Sequence, residues 1–319
     1  MDRAPGPESK ARLLWEIGVI YRDRGQDPVN AMQSFDASLE LDGDLLVALR
    51  DVADLAYHTH QWGLVVEASE SLLDGGFTRM ALEAEPLPVH RRQRYEPEDE
   101  QSSVIYTVRL AAALEALGST ESALQRYGTA RRTRGTNAMA LMGVGRLQYE
   151  AGNLDLARGA LTKLLQSGGQ RLLPEDQASM SCLLAQILAG QRQHLKALDL
   201  AMSVLEMGSC EHEAAALIVE QALVLKDWDR AVQGLASLGQ LTEDPVERKD
   251  VYLRLGDIQL DHLGDKSGAL EAYRHALDST PHDAVAVERV LELDMQLENW
   301  AHALELSGAL IASMDELIE

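Results

Sequence analysis

The stretch "GDKSGALEAYRHALDSTPHD" runs from Gly264 to Asp283. It places alanines at 269, 272 and 276, an aromatic at 273 and a proline at 281. Intervals of three and four residues put Ala269, Tyr273 and Ala276 on one side of a helix. Small residues on that side allow a second helix to approach closely, and a proline just beyond ends the element. The partner helix should lie upstream, where Leu255 and Gly256 offer another apolar–small pair.

The same register recurs along the chain. Ile17–Gly18 is followed by Ala31, Phe35 and Ser38, and Val144–Gly145 by Ala157, Leu161 and Leu164. The other copies pair Ala53 with Val65, Ala111 with Ala123, Ala185 with Ala197, Val219 with Ala231 and Leu291 with Ala303. The step from the first anchor to the second is thirteen residues in the first and seventh copies and twelve in the fourth. Eight units thus open near residues 11, 46, 104, 138, 178, 212, 249 and 284. A repeat of this length is a helical pair that buries its apolar face only by stacking on its neighbours.

The pattern resembles the tetratricopeptide repeat over nearly the whole chain. The residues that carry the resemblance are Leu14, Ile17, Gly18 and Tyr21 in the first copy. In the seventh they are Tyr252, Leu255, Gly256, Ala269, Tyr273, Ala276 and Pro281. The resemblance implies an all-α fold, an α-α superhelix (solenoid) of about eight tetratricopeptide-like hairpins. The expected organisation is a disordered segment at 1–10, repeats at 11–79, an inserted loop at 80–103, and repeats at 104–171, 178–245 and 249–317, forming one continuous solenoid. The insertion combines three prolines with Arg91, Arg92 and Arg94 and an acidic run at 96–100. It reads as a solvated loop, with a docking role as the sharper alternative. Trp62, Trp228 and Trp300 share one column just after the hairpin turn, where they should cover its end. Gly152 and Asn153 mark such a turn.

The formal net charge is -22, with 51 acidic against 29 basic residues. A field of that sign disfavours nucleic acid and anionic membranes and favours basic partners. No apolar run approaches the length of a membrane span, and the N-terminus lacks the apolar core of a signal peptide. Cys182 and Cys210 are too few for a disulfide framework and read as reduced thiols in a cytoplasmic chain. The preference for Arg over Lys fits a GC-rich bacterial source. No metal-binding, phosphate-binding or dinucleotide motif is present. "GVGRLQYEAG" imitates a Gly-rich loop but falls inside a helix of the fourth copy. The expectation is a non-enzymatic protein without a cofactor or metal.

In the family, the first helix of each pair lines a concave groove. Carried onto this register, the lining begins with Trp15, Arg50 and Asp54. It continues through Val108, Met139, Met142, Arg146, Tyr149, Cys182 and Gln186. It ends with Glu213, Glu220, Asp250, Leu253, Asp257, Glu288 and Glu292. The groove is thus mixed at the start, apolar in the middle and acidic at the end. Such a surface suits a protein or peptide of basic and apolar character. Chaperone-binding members carry Lys and Asn in these columns, and this chain has neither there. The first expectation is therefore a scaffold or adaptor that binds a protein segment in its groove. The alternatives are a structural segment of a larger repeat assembly and a ligand-responsive regulator. The eighth unit ends near 317 with no polar capping helix, so self-association through that uncapped repeat is also expected.

Overall fold

A computed structural model describes residues 6–43, 45–74, 102–167, 172–281 and 283–308. Among them every regular element is helical. The chain divides into two compact units, 1–168 and 169–319.

The first unit holds α1 (Pro7–Ile20), α2 (Pro28–Leu41), α3 (Leu46–His58), α4 (Trp62–Asp74), α5 (Ser102–Ala116), α6 (Thr120–Thr133), α7 (Ala138–Glu150) and α8 (Leu154–Ser167). The second holds α9 (Pro174–Gly190), α10 (His194–Glu206), α11 (Glu211–Leu225), α12 (Trp228–Leu241), α13 (Pro245–Ile258), α14 (Lys266–Ser279) and α15 (Ala284–Gln296). A last helical segment occupies 300–308. The fold is an all-α array of helical hairpins. α1 opens at Pro7, so residues 7–10 are helical where disorder was expected: a proline at the first helical position and Glu8 in the first turn favour the start there. The inserted segment lies outside the described residues up to 101, and the segment beyond 308 lies outside them too.

Each hairpin closes by one device. A single residue with positive φ ends the first helix: Gln26, His60, Gly118, Gly152, Arg192, Lys226, Gly264 and Glu298. This left-handed residue turns the chain, and the next backbone N–H caps a carbonyl of the last helical turn. In most hairpins that bond spans five residues, as in Asn153 N–H to Gln148 O at 2.8 Å. In the first and seventh it spans six: Asp27 to Tyr21 and Asp265 to Gln259. In those two hairpins a π-helical turn, Tyr21–Gly25 or Gln259–Leu263, extends the first helix. They are the copies with the thirteen-residue step, and the wider turn absorbs the extra residue.

The anchor columns do what small residues permit. A Cβ at Gly18 would collide with the Phe35 ring, and one at Gly256 with the Tyr273 ring. Ala31, Phe35, Ala269, Tyr273 and Ala276 are all fully buried. Gly143 and Gly145, the glycines of the Gly-rich imitation, lie inside α7 under Tyr127 and Leu161. Trp62 and Trp228 pack half-buried on their units' cores. Trp300 departs from that expectation and stands 56% exposed.

Candidate interaction face

A first helix enclosed on three sides shows solvent only a narrow strip. α11 makes this plain. Ala214, Ala215, Leu217, Ile218, Val219 and Ala222 are buried, while Glu213, Ala216, Glu220 and Val224 are exposed. The exposed residues step by three and four, so they form one line along the helix.

In the first unit the strips are closed by side chains that reach from one hairpin to the next. Trp15 donates its indole N–H to Asp51 at 2.8 Å, and Arg22 pairs with the same carboxylate at 2.8 Å. Asp54 accepts from the Tyr106 hydroxyl at 2.9 Å and pairs with Arg109. The Arg109 guanidinium lies over the Tyr57 and Tyr106 rings, 5.3 and 5.4 Å from their centroids. Glu115 accepts from the Tyr127 hydroxyl at 3.0 Å and from Arg146 at 2.9 Å. Burial, and then the adjacent Asp54 or Glu115 charge, holds both phenols well above the usual tyrosine pKa. They therefore remain donors at neutral pH. Of the remaining positions read from sequence here, Met139 is exposed, and Arg50, Met142 and Tyr149 are half-buried. Val108 is buried, so it offers no open contact: a short side chain at the midline of its strip is closed over by its neighbours.

The second unit differs. Glu213 and Glu220 on α11 and Glu288 and Glu292 on α15 are exposed and form no ion pair among the described residues. Asp250 on α13 is exposed and pairs with the neighbouring Lys249 at 3.1 Å. Gln186 is exposed on α9, while Leu253 is half-buried against the core. Asp257 alone follows the pattern of the first unit, accepting from the Tyr273 hydroxyl at 2.7 Å with Arg289 at 3.6 Å. Cys182 is buried among Ala178, Val204 and Ala214 and is not part of the strip. Burial, and then the neighbouring Cys210 and Glu213, push its thiol pKa up to about 11.

Sequence reading missed two features of this unit. Asp294 is a fully buried carboxylate on α15, held by Arg274 at 2.9 Å, Asn299 at 3.1 Å and His302. It sits inside an apolar run, and only Asp at a buried helical column could have signalled it. A cavity of about 320 Å³ between α12, α13 and α14 is lined by Arg248, Tyr252, His275 and Asp278 among others. Tyr252 packs where a Cβ on Gly239 would sit, and Arg248 donates to Ser279 at 3.1 Å. No group of His, Cys, Asp or Glu among the described residues is arranged to hold a metal ion. No described helix is long and apolar enough to cross a membrane.

The geometry defines a helical-hairpin repeat protein whose first helices leave only narrow strips open to solvent. Residues 108–176 match the family model of the tetratricopeptide repeat. A tetratricopeptide repeat protein from Parabacteroides merdae is similar at 16% identity and a TM-score of 0.50. The match covers 90% of this chain and 99% of that one. The C-terminal part of a repeat-containing protein from Cytophaga hutchinsonii is similar at 16% identity and a TM-score of 0.52, covering 88% and 98%. At these identities the likeness is one of fold. No curated protein matches the chain. Residues 108–176 thus carry the tetratricopeptide repeat match, and over nearly the whole chain the likeness is one of fold.

Proposed function

We propose that the chain is a non-enzymatic scaffold or adaptor that binds a basic protein segment along the acidic strips of its second unit. The observation that carries this reading is the contrast in how acids are used. In the first unit Asp51, Asp54 and Glu115 are each neutralised by an arginine from another hairpin. In the second, Glu213, Glu220, Glu288 and Glu292 are left in solvent without a cation among the described residues. Unpaired acids on a line attract Lys and Arg and speed the encounter. The exposed Ala216 and Val224 beside them add apolar contact for the aliphatic parts of such a segment.

The test is capture from a lysate of the source organism with cross-linking, comparing wild type with Glu213→Lys/Glu220→Lys. The captured proteins should cross-link to α11 through Lys- and Arg-rich segments, and high salt or charge reversal should release them. Capture that survives both treatments would place binding elsewhere.

A further inference from the structure

The first helix of the array shows a face that the later first helices hide. In α7, Ala140, Val144 and Leu147 are buried, and in α15 so are Ala286, Val290 and Leu293. They stand five and one residues before the anchor and two after it. The matching residues of α1 are Leu13, Ile17 and Ile20. They are 52%, 44% and 57% exposed. On these two helices packs the second helix of the preceding hairpin: α6 on α7, and α14 on α15. Leu, Ile and Ile in α1 are the residues of a stacking face and not those of a polar cap.

The other half of such a junction is also open. Leu304, in the segment 300–308, is 74% exposed. It follows its anchor Ala303 by one residue. The same position is buried as Met32, Leu198 and Leu270 in α2, α10 and α14, and half-buried as Val66, Leu124, Arg158 and Val232 in α4, α6, α8 and α12. Trp300, one turn earlier, is exposed as well. Among the described residues, therefore, α1 carries an open acceptor face and segment 300–308 an open donor face of the same kind of junction.

We propose that the two faces meet between copies, with segment 300–308 of one chain docking on α1 of the next. The contact is head-to-tail, so each copy keeps one free face of each kind until a ring closes or the row ends. Charge sets its strength. Arg109 and Arg289, two residues before their anchors, pair with Asp54 and Asp257 of the preceding first helix. In α1 that column holds Glu16, and the acid column of α15 holds Glu292. The junction between copies therefore sets carboxylate against carboxylate, within a chain of net charge -22. Salt should strengthen it by screening that repulsion.

Sedimentation velocity of the full chain over a wide concentration range tests this. The average mass should rise with concentration, more steeply in high salt. Ile17→Glu and Leu304→Glu should each remain single chains, with unchanged far-UV circular dichroism because both residues are exposed. Mixed together, the two variants should form a two-chain complex and nothing larger, since one supplies an intact tail and the other an intact head. Glu16→Arg should tighten the wild-type association about two- to fivefold. A wild type that stays a single chain at every concentration and salt overturns the proposal. So does loss of association in Ile17→Glu alone, which marks head-to-head pairing, and so does a mixture that fails to assemble. The varied positions lie off the acidic strip of α11 that the capture experiment alters, so failure of either reading is scored apart from the other.

Discussion

Gly256 and Tyr273 give the sharpest test of how the hairpins are built. Alanine is favoured over glycine inside a helix by about 1 kcal/mol. Gly159, exposed in α8 with nothing near the place a Cβ would take, should show that gain as Gly159→Ala. At Gly256 a Cβ would overlap the edge of the Tyr273 ring. Tyr273 is fully enclosed, with its hydroxyl tied to Asp257, so the ring has no free direction in which to move. Overpacking of this kind costs about 1–3 kcal/mol, so Gly256→Ala should be neutral or destabilising by up to about 2 kcal/mol. Tyr273→Ala alone should cost about 3–5 kcal/mol through the cavity it leaves. In that background the overlap is gone, and Gly256→Ala should become stabilising by about 1 kcal/mol. The sign change amounts to a coupling of about 1–3 kcal/mol between the two sites. Urea unfolding followed by circular dichroism measures it, using the transition that Tyr273→Ala displaces. If Gly256→Ala stabilises the wild type as Gly159→Ala does, the close helix approach is refuted.

Three further outcomes follow from single sites. Lys226 closes the α11–α12 hairpin with a φ of 57°. Lys226→Gly should therefore be neutral or stabilising by up to about 1 kcal/mol, as relief of the left-handed strain offsets the added freedom of the unfolded chain. Thermal unfolding checks this. Asp283 caps α15 by accepting from Ala286 N–H at 3.0 Å and also pairs with Lys249; these bonds, the backbone one first, hold its pKa below the usual carboxylate value. A depressed folded-state pKa contributes stability that is present above the unfolded value and lost as pH falls through the folded one. Asp283→Ala should cost about 1 kcal/mol at neutral pH and less in acid, so the two urea midpoints should converge as pH is lowered. Native protein treated with a thiol reagent at neutral pH should label at half-exposed Cys210 before Cys182, which is buried with its pKa pushed up to about 11. Equal rates would mean that Cys182 is open to solvent.

The fold class was legible because stacking imposes one column of small residues on every hairpin, and alanine or glycine stands there in most copies. Even the π-helical turns left a trace, since Gly18 to Ala31 and Gly256 to Ala269 are one residue longer than the other steps. The turn residues were harder to see. Only Gly118, Gly152 and Gly264 announce a left-handed conformation; Gln26, His60, Arg192, Lys226 and Glu298 adopt it because both flanking helices enforce it. The candidate face was legible in direction and illegible in occupancy. A column tells which side of a helix a residue takes. It does not tell whether an arginine 31 or 55 residues away in sequence will reach across, as Arg146 does to Glu115 and Arg109 to Asp54.

That distinction changes what the net charge means. An acid count alone spreads the negative potential over the whole chain. The geometry concentrates its usable part. Asp51, Asp54 and Glu115 hold neighbouring first helices together, and each is answered by a cation at short range. Their field is cancelled within a few ångströms, well inside a Debye length of about 10 Å in moderate salt. Glu213 and Glu220 stand two turns apart on one strip, and Glu288 and Glu292 one turn apart on another, with nothing comparable to cancel them. Mutual repulsion along each strip costs some stability, and a ligand cation placed between two such acids relieves it. The same carboxylate chemistry thus ties neighbouring first helices together in the first unit, and at Asp257 in the second, while the acids of the α11 strip stay in solvent. What separates the two cases is the supply of arginines from the adjacent hairpin: Arg109 and Arg146 reach across in the first unit, while on α11 no described cation reaches Glu213 or Glu220.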